Sequence, residues 1–249
     1  MPESTSLISI FTGLRDFLFP KVCDYCGFPF DGGLSNILCS FCFHSIRPYK
    51  DPVCSRCGTP LNPESYIGAS LFRCVECGEG QYFIDGMRAY GDYAGVLRIA
   101  HHSFKFEGME HLGALMAQQM TKMIPDSFTT PESVFCPVPL SPERERERGY
   151  NPAEILSRHL SLAKGSPARK LIRKIKSIRP QMSLTKAERL KNPEGAYETI
   201  PTIPMPPRVI LTDDVFTTGA TLEECAKVLK KSGVQWVGAV VWGRTPRYF

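Results

Sequence analysis

The sequence predicts an α/β protein in which a small Cys-rich module precedes a mainly parallel sheet with flanking helices. Three features support this prediction: four Cys-x-x-Cys pairs near the start, apolar runs separated by helical patterns in the middle, and a strand-helix-strand pattern near the end. We expect the Cys-rich module and a short helix before it within residues 1–83, and the α/β domain within residues 84–249. The chain of 249 residues, 43% of them hydrophobic, is long enough for both.

The carboxyl-terminal pattern begins with RVILTDDVFTTGAT, which spans residues 208–221. Its apolar run predicts a strand, the paired acids Asp213 and Asp214 follow, and a loop of small residues comes next. A helix predicted after this loop would place its unpartnered backbone N–H groups and the positive end of its dipole at the loop. Such a loop can hold a phosphate group without any Lys or Arg.

The helix is predicted over TLEECAKVLKKSG by signals at both of its ends. Thr221 and Glu224 have the Thr-x-x-Glu spacing of a capping box, and Gly233 is a typical helix stop. The apolar run VQWVGAVVW then predicts a second buried strand. Strand, helix and strand together form a unit of the parallel-sheet type.

This region resembles the phosphoribosyl pyrophosphate (PRPP) motif of type I phosphoribosyltransferases. The resemblance implies that the two acids bind the ribose hydroxyls, that Mg²⁺ accompanies PRPP, and that the loop holds the 5′-phosphate. The loop residues concerned are Thr217, Thr218, Gly219, Ala220 and Thr221. The alternative is a surface turn in which the threonines only cap a helix.

The Cys-rich module contains four Cys-x-x-Cys pairs, and two such pairs can form a tetrahedral Cys₄ zinc site. The pairs are Cys23/Cys26, Cys39/Cys42, Cys54/Cys57 and Cys74/Cys77. Eight thiolates are enough for two zinc ions with four ligands each. We expect these ions to be structural, because a catalytic zinc keeps one position open for water. Disulfides would need an oxidising compartment, and no signal peptide is evident. We expect pairing in chain order, although the spacing permits three pairings.

The amino-terminal stretch ISIFTGLRDFLF predicts a short amphipathic helix with Ile10, Leu14, Phe17 and Leu18 on one face. Packing on the chain's own domain explains this face better than membrane attachment, because its polar side carries little positive charge. No run approaches the roughly 20 apolar residues of a membrane span. We therefore expect no membrane span and a cytoplasmic protein.

The α/β domain begins with IDGMRAYGDYAGVLRIAHHSFKFEG and MEHLGALMAQQMTKMI, which predict a strand, a helix, a basic turn and a second helix. Lys105 in the basic turn is a candidate for the binding surface. His101 and His102 are adjacent and point to different helix faces, so a structural role is expected for them.

The next segment, SVFCPVPL, predicts a buried strand that ends at proline, and the charge run SPERERERGYNP follows. In an extended segment Arg144, Arg146 and Arg148 would face one side and the intervening glutamates the other, whereas a helix would spread both signs around itself. Asn151 as N-cap and Pro152 at the first helical position predict another helix.

Several motifs together resemble the ComF family. They are CPVPL, RERERGYN, PQMSLTKAERLKNPEGAY and LTDDVFTTGAT, behind an amino-terminal cysteine module. The family is phosphoribosyltransferase-like and is associated with competence, the uptake of DNA for transformation, and with the use of imported DNA. Two positions depart from its pattern: Pro152 stands in place of Gln and Ile178 in place of Thr.

The resemblance implies roles for further residues. The turn formed by Leu140 and Ser141, together with Arg144, would meet the diphosphate of PRPP. Residues 168–197 would form a flap that closes over the ligand, with Gln181 and Arg189 as its functional side chains. The predicted catalytic residues are Asp213, Asp214, Arg144, Gln181 and Arg189, whereas Leu140 and Ser141 are predicted only to bind the diphosphate.

Two functions fit the sequence. The first is a Mg²⁺-dependent transferase that uses PRPP to move a pentosyl group to an acceptor. The second is a non-catalytic DNA-binding factor for transformation, in which the pocket serves only for binding or regulation and the basic segments face single-stranded DNA or other competence proteins. Ser141–Lys191 carries 14 Lys/Arg against five Asp/Glu, and its candidate DNA contacts are Arg169, Lys170, Arg173, Lys174 and Lys176.

Overall fold

The fold is described from a computed structural model that covers residues 20–30, 37–62, 72–75, 77–78, 80, 82–106, 108–176 and 193–246. The helix predicted near residue 10 lies outside these residues. So do Gln181 and Arg189.

The described residues form six α-helices, one short 3₁₀-helix and six strands. The helices are α1 (Ser40–Ser45), α2 (Gly95–Phe106), α3 (Glu110–Met120), the 3₁₀-helix (Thr121–Met123), α4 (Pro142–Arg148), α5 (Pro152–Lys164) and α6 (Ala220–Lys231). The strands are β1 (Gly86–Asp92), β2 (Ser133–Pro137), β3 (Ile172–Lys174), β4 (Tyr197–Thr199), β5 (Arg208–Phe216) and β6 (Trp236–Arg244).

A four-stranded parallel sheet organises the fold, with strand order β1-β6-β5-β2. The two longest strands, β5 and β6, lie at its centre and are formed by apolar runs, as expected for strands that are buried on both faces. Strands β3 and β4 pair antiparallel as a separate small sheet. The predicted fold class is confirmed: a mainly parallel sheet with flanking helices behind a Cys-rich module.

Alternate residues of the central strands feed two cores, one on each face of the sheet. Val209 and Leu211 of β5 pack on the face covered by α6, while Ile210 packs on the face covered by α2, α3 and α5. On the latter face the buried Trp242 stacks on Tyr90, with ring centroids 4.9 Å apart. Each core is therefore closed by helices that the sequence patterns predicted.

The two cysteine clusters belong to different cores. The cluster that begins at Cys54 packs with α6, and Cys23 and Cys42 pack with α2, α3 and α5. Phe43 of α1 extends the second contact by stacking on Trp242 at 6.4 Å. The Cys-rich segment thus contacts both faces of the sheet. The domain boundary at residue 84 stays a prediction.

One local prediction is wrong, and one open alternative is resolved. The capping box does not form, because α6 begins at Ala220 with Gly219 as its cap residue, and Glu224 accepts a hydrogen bond from Gly195 N at 2.9 Å instead. Of the two conformations considered for the charge run, residues 142–148 adopt the helix. Ser141 caps its start by accepting from Arg144 N. The N-cap role predicted for Asn151 is confirmed.

Candidate functional site

The two zinc sites are formed by cysteine pairs that are consecutive in the chain. Within each group the four sulfur atoms lie within 4.8 Å of one another; the groups are Cys23, Cys26, Cys39 and Cys42, and Cys54, Cys57, Cys74 and Cys77. The expected pairing in chain order is therefore confirmed. Gly27, Gly58 and Gly78 follow the second Cys of a pair with positive φ, a conformation that glycine adopts at little cost. Four thiolates complete each tetrahedron, which makes both zinc sites structural.

The part of the predicted phosphate-binding loop between β5 and α6 is residues 217–219, called the phosphate loop below. Gly219 has φ 80°, and a β-carbon there would overlap the ring of Phe216. Glycine is thus required at this position by both its backbone conformation and its surroundings. The helix α6 has 12 residues and begins directly after the loop. Its first N–H groups and the positive end of its dipole therefore lie beside the loop, as the sequence pattern predicted.

A cavity of about 700 Å³ lies at the carboxyl ends of β2 and β5. Ligands of open α/β sheets bind at this edge, outside the carboxyl ends of the strands. The wall includes the segment after β2, the acids of β5, the phosphate loop, the start of α6, α4 and the β3–β4 hairpin. The cavity therefore unites parts of the chain that are far apart in the sequence.

Asp214 is held in a hydrogen-bonded chain at the cavity wall. Its Oδ2 accepts from Lys105 Nζ and lies 3.1 Å from Nε2 of His101, and Nδ1 of that imidazole lies 2.8 Å from the Tyr93 hydroxyl. Nε2 of His101 can donate to Asp214 while its Nδ1 accepts from the Tyr93 hydroxyl, so one imidazole can satisfy both contacts. Burial opposes ionisation of Asp214, but Lys105 and His101 outweigh it and hold the pKa of this carboxyl well below its ordinary value.

Asp213 is in the opposite situation. Burial and the neighbouring charge of Asp214 raise the pKa of Asp213 to about 7. In the described part of the chain no Lys or Arg forms an ion pair with this carboxylate, which accepts only the backbone N–H of Asp214 at 2.9 Å. The paired acids therefore differ: Asp214 is a fixed anion, and Asp213 can gain or lose a proton near neutral pH.

Four cations line the cavity: Lys105, Arg144, Arg148 and Lys174. Arg144 and Arg148 are one helical turn apart on α4, and neither makes an ion pair among the described residues. Nη1 of Arg148 is buried without a hydrogen-bond partner there, which is costly for a guanidinium unless a ligand supplies an acceptor. Burial and nearby Arg144 lower the pKa of Lys174. This arrangement favours an anionic ligand with several acceptor oxygens.

Most of the predicted site residues that the structure describes meet at this cavity. The wall contains Leu140, Arg144, Asp213, Asp214, Thr217, Gly219, Ala220 and Thr221. Two predicted residues are not on it: Ser141 caps α4, and Thr218 Oγ1 faces Ala220 N at 3.4 Å.

Three residues of the site were not predicted from the sequence: His101, Arg148 and Tyr197. For His101 the signal was its spacing of four residues from Lys105, which places both side chains on one face of α2. For Arg148 the signal was the same spacing from Arg144, once a helix is assumed.

Residues 14–78 match the model of the double zinc ribbon domain. The chain is 32% identical over 216 residues to competence protein F of Haemophilus influenzae, an alignment that covers 84% of this chain and 90% of that protein. The chain belongs to the ComF family. Competence protein ComFC of Bacillus subtilis is 25% identical to this ComF chain, with 79% of both chains covered. DNA utilization protein YhgH of Escherichia coli K12 is 26% identical, with 86% of this chain and 92% of that protein covered.

Solved structures with local similarity share little sequence with this ComF protein. One, described as the allosteric regulatory enzyme of purine biosynthesis, is 17% identical and covers 59% of this chain and 26% of that one, with a TM-score of 0.33. Orotate phosphoribosyltransferase from Aeropyrum pernix is also 17% identical and covers 54% of this chain and 59% of that one, with a TM-score of 0.31.

In the described part of this ComF chain, none of the helices has the length and apolar character needed to cross a bilayer.

Proposed function

We propose that this ComF protein binds PRPP or a related phosphoribosyl ligand in the cavity at the carboxyl ends of β2 and β5. One observation carries the proposal: a single cavity brings a glycine loop at a helix start together with paired acids and two arginines that lack an anionic partner among the described residues. A phosphate, a ribose and a diphosphate need these three kinds of group.

Each part of the ligand has a matching part of the wall. The loop that ends at Gly219, with the hydroxyl of Thr221, would hold the 5′-phosphate at the start of α6. Asp213 and Asp214 would accept hydrogen bonds from the ribose hydroxyls. Arg144, beside the Leu140 turn, would pair with the diphosphate, because its planar fork can donate two parallel hydrogen bonds.

The residues present also fit Mg²⁺ bound together with the ligand. Protein sites usually hold this ion by one or two carboxylates, substrate phosphates and water. Asp213 has no cationic ion-pair partner among the described residues, so its oxygens are available to the ion or to its water shell. The ion would supply charge neutralisation of the diphosphate.

As a transferase, the protein would break the bond between C1′ and the diphosphate oxygen and form a bond from C1′ to an acceptor. Lys174 of the β3–β4 hairpin lines the cavity and would add a cationic contact to PRPP. Tyr197 of the same hairpin also lines the cavity, and we place the acceptor against it.

The named relatives connect the family with competence and DNA utilization. We propose the same connection for this chain, which would act on or respond to imported DNA in the cytoplasm. The alternative, a non-catalytic DNA factor, draws on the basic residues of the hairpin region. Two of these face other partners: Lys170 pairs with Glu154 at 2.7 Å, and Arg173 Nε donates to Glu198 at 2.6 Å. Lys174 lines the cavity, which favours the pocket function.

Calorimetry of the purified chain with PRPP, with and without Mg²⁺, tests the proposal. We expect binding that strengthens with Mg²⁺. The double variant Asp213→Asn/Asp214→Asn keeps side-chain size but removes charge, and it should lower affinity at least about tenfold, because each hydrogen bond to a charged acceptor contributes roughly 1.5–3 kcal/mol. The proposal fails if folded wild-type protein binds neither PRPP nor ribose 5-phosphate at millimolar concentration.

A further inference from the structure

A buried arginine connects the second zinc cluster to the phosphate loop. Arg56 lies between the zinc ligands Cys54 and Cys57, and only 7% of it is exposed. Its guanidinium carbon lies 4.3 Å from the ring centroid of Tyr82 and 5.9 Å from that of Phe216. Aromatic faces stabilise a cation, but burial of its charge also calls for an anion.

Glu223 supplies that anion from the first turn of α6. Its Oε1 lies 3.1 Å from Nε of Arg56, and its Oε2 accepts a hydrogen bond from Phe83 N at 2.9 Å. The backbone N–H of Glu223 donates to Gly219 O at 2.9 Å. One side chain therefore ties the start of α6, directly after the loop, to residues from before β1.

The same arginine lies close to the loop itself. Its Nη1 lies 3.3 Å from the position that a β-carbon on Gly219 would take, and the ring of Phe216 occupies the rest of this space. Nη1 is buried and has no hydrogen-bond partner in the described part of the chain. Arg56 is not among the residues that line the cavity, so it lies behind the loop and would not contact a ligand bound there.

A second arginine fixes the zinc cluster to the sheet. Arg244 is the last residue of β6 and is 2% exposed. Its Nε donates to Cys57 O at 2.9 Å, and its Nη2 lies 3.7 Å from the sulfur of the same residue. The turn that carries Arg56 is thus anchored to the carboxyl end of a central strand. Movement of this turn would break buried contacts of charged groups.

We propose that Arg56 is a positioning residue that fixes the phosphate loop, so that the second zinc site is part of the phosphate-binding apparatus. This inference rests on the proposed function of the loop. The first zinc cluster lies on the opposite face of the sheet, in the core with α2, α3 and α5. The two zinc sites therefore have different consequences for the ligand.

The test compares two arginines of the zinc module. Arg56→Met keeps length and packing but removes the guanidinium. Arg73→Met is the matched control, because Arg73 also lies over Tyr82, at 5.6 Å, but donates to Gly78 O and Gly80 O. With two zinc ions retained in both variants, we expect Arg56→Met to lose at least about tenfold in affinity for ribose 5-phosphate and the control to lose less than about twofold. Equal affinities of the two variants would overturn the proposal.

Amide hydrogen exchange of residues 217–224 tests the same point without a ligand. We expect faster exchange there in Arg56→Met than in wild type or in the control, and unchanged exchange would overturn the proposal. If wild-type protein binds neither ligand, the proposed function fails, while the exchange result still decides whether Arg56 holds the loop. If Arg56→Met does not fold, Glu223→Gln takes its place, because the amide keeps an acceptor for Phe83 N but loses the charge. The same exchange outcomes apply to it.

Discussion

Nε2 of His101 lies 3.1 Å from Oδ2 of Asp214, although the two residues are 113 positions apart in the chain. The contact joins α2 to the end of β5 at the cavity wall, and Lys105, one turn further along α2, donates to the same oxygen. Two residues of α2 therefore stabilise the ionised form of Asp214. Asp213, which lacks such partners among the described residues, responds to pH instead.

We predict that Lys105→Met lowers PRPP affinity at least about tenfold, because Asp214 then loses its main cation in a buried site. His101→Gln should have a smaller effect in the same direction, since the amide can still donate to the carboxylate. Calorimetry at pH 8 measures both. His102→Gln is the matched control, because this neighbouring side chain is exposed. Equal affinities of the Lys105 variant and the control would contradict the assigned role.

We predict opposite effects of pH on two single variants of the acid pair. The pKa of Asp214 is lowered by folding, so its ionised form stabilises the protein above its unfolded pKa of about 3.9, and this contribution is lost as pH falls below that value. Asp214→Asn should therefore destabilise the protein at pH 7 and have little effect at the acidic end.

The pKa of Asp213 is raised by folding to about 7, so its ionisation opposes folding as pH rises from about 4 to 7. Asp213→Asn should be nearly neutral at pH 4 and stabilise the protein by a few kcal/mol at pH 8, an order-of-magnitude value from the size of the shift. Urea unfolding across this pH range measures both variants. The same sign of effect at pH 8 would refute this account of the acids.

Much of this site was predictable because it depends on local pattern. The apolar run before Asp213, the small-residue loop and the helix after it are local features, as are the four Cys-x-x-Cys pairs. The packing of Cys23 and Cys54 on opposite faces of the sheet was not predictable from spacing, because it depends on how the whole chain is arranged around β5 and β6.

The missed features depend on contacts between distant segments. No local pattern brings His101 to Asp214 or Arg56 to Glu223. The capping box failed because the chain enters α6 through a left-handed Gly219, which moves the helix start to Ala220. The alternating charge run was ambiguous, since the same sequence is compatible with a strand or a helix. In the structure it is a helix whose start is capped by Ser141.

We predict that Gly219→Ala destabilises the protein more than Gly233→Ala does. Both glycines have positive φ, which costs a residue with a β-carbon about 1 kcal/mol. Only the Gly219 variant also overlaps a ring, that of Phe216, and such overpacking costs a further 1–3 kcal/mol or so, whereas nothing lies within 4 Å at Gly233. Urea unfolding should show this difference. Gly219→Ala should also lose ribose 5-phosphate binding, whereas Gly233→Ala should keep it.

We predict two zinc ions per chain, by the count of two Cys₄ groups. Cys23→Ser and Cys54→Ser should each lose one ion and destabilise the protein by at least about 2 kcal/mol, because each cluster is part of a core against the sheet. Elemental analysis and thermal unfolding measure these effects. A chain without zinc that contains four disulfides would refute the prediction.

The β3–β4 hairpin offers a direct comparison between the pocket and DNA. Lys174 lines the cavity, whereas the adjacent Arg173 pairs with Glu198. We predict that Lys174→Met lowers PRPP affinity by about tenfold, since a charged contact contributes roughly 1.5–3 kcal/mol, and that Arg173→Met leaves it nearly unchanged. Calorimetry measures the PRPP affinity of both variants. Filter binding of single-stranded DNA at several salt concentrations measures their DNA affinity and its salt dependence. A contact between either residue and a DNA phosphate would reduce the salt slope by about one unit on substitution. If both variants reduce that slope and neither changes PRPP affinity, the hairpin faces DNA, and the pocket role of Lys174 is wrong.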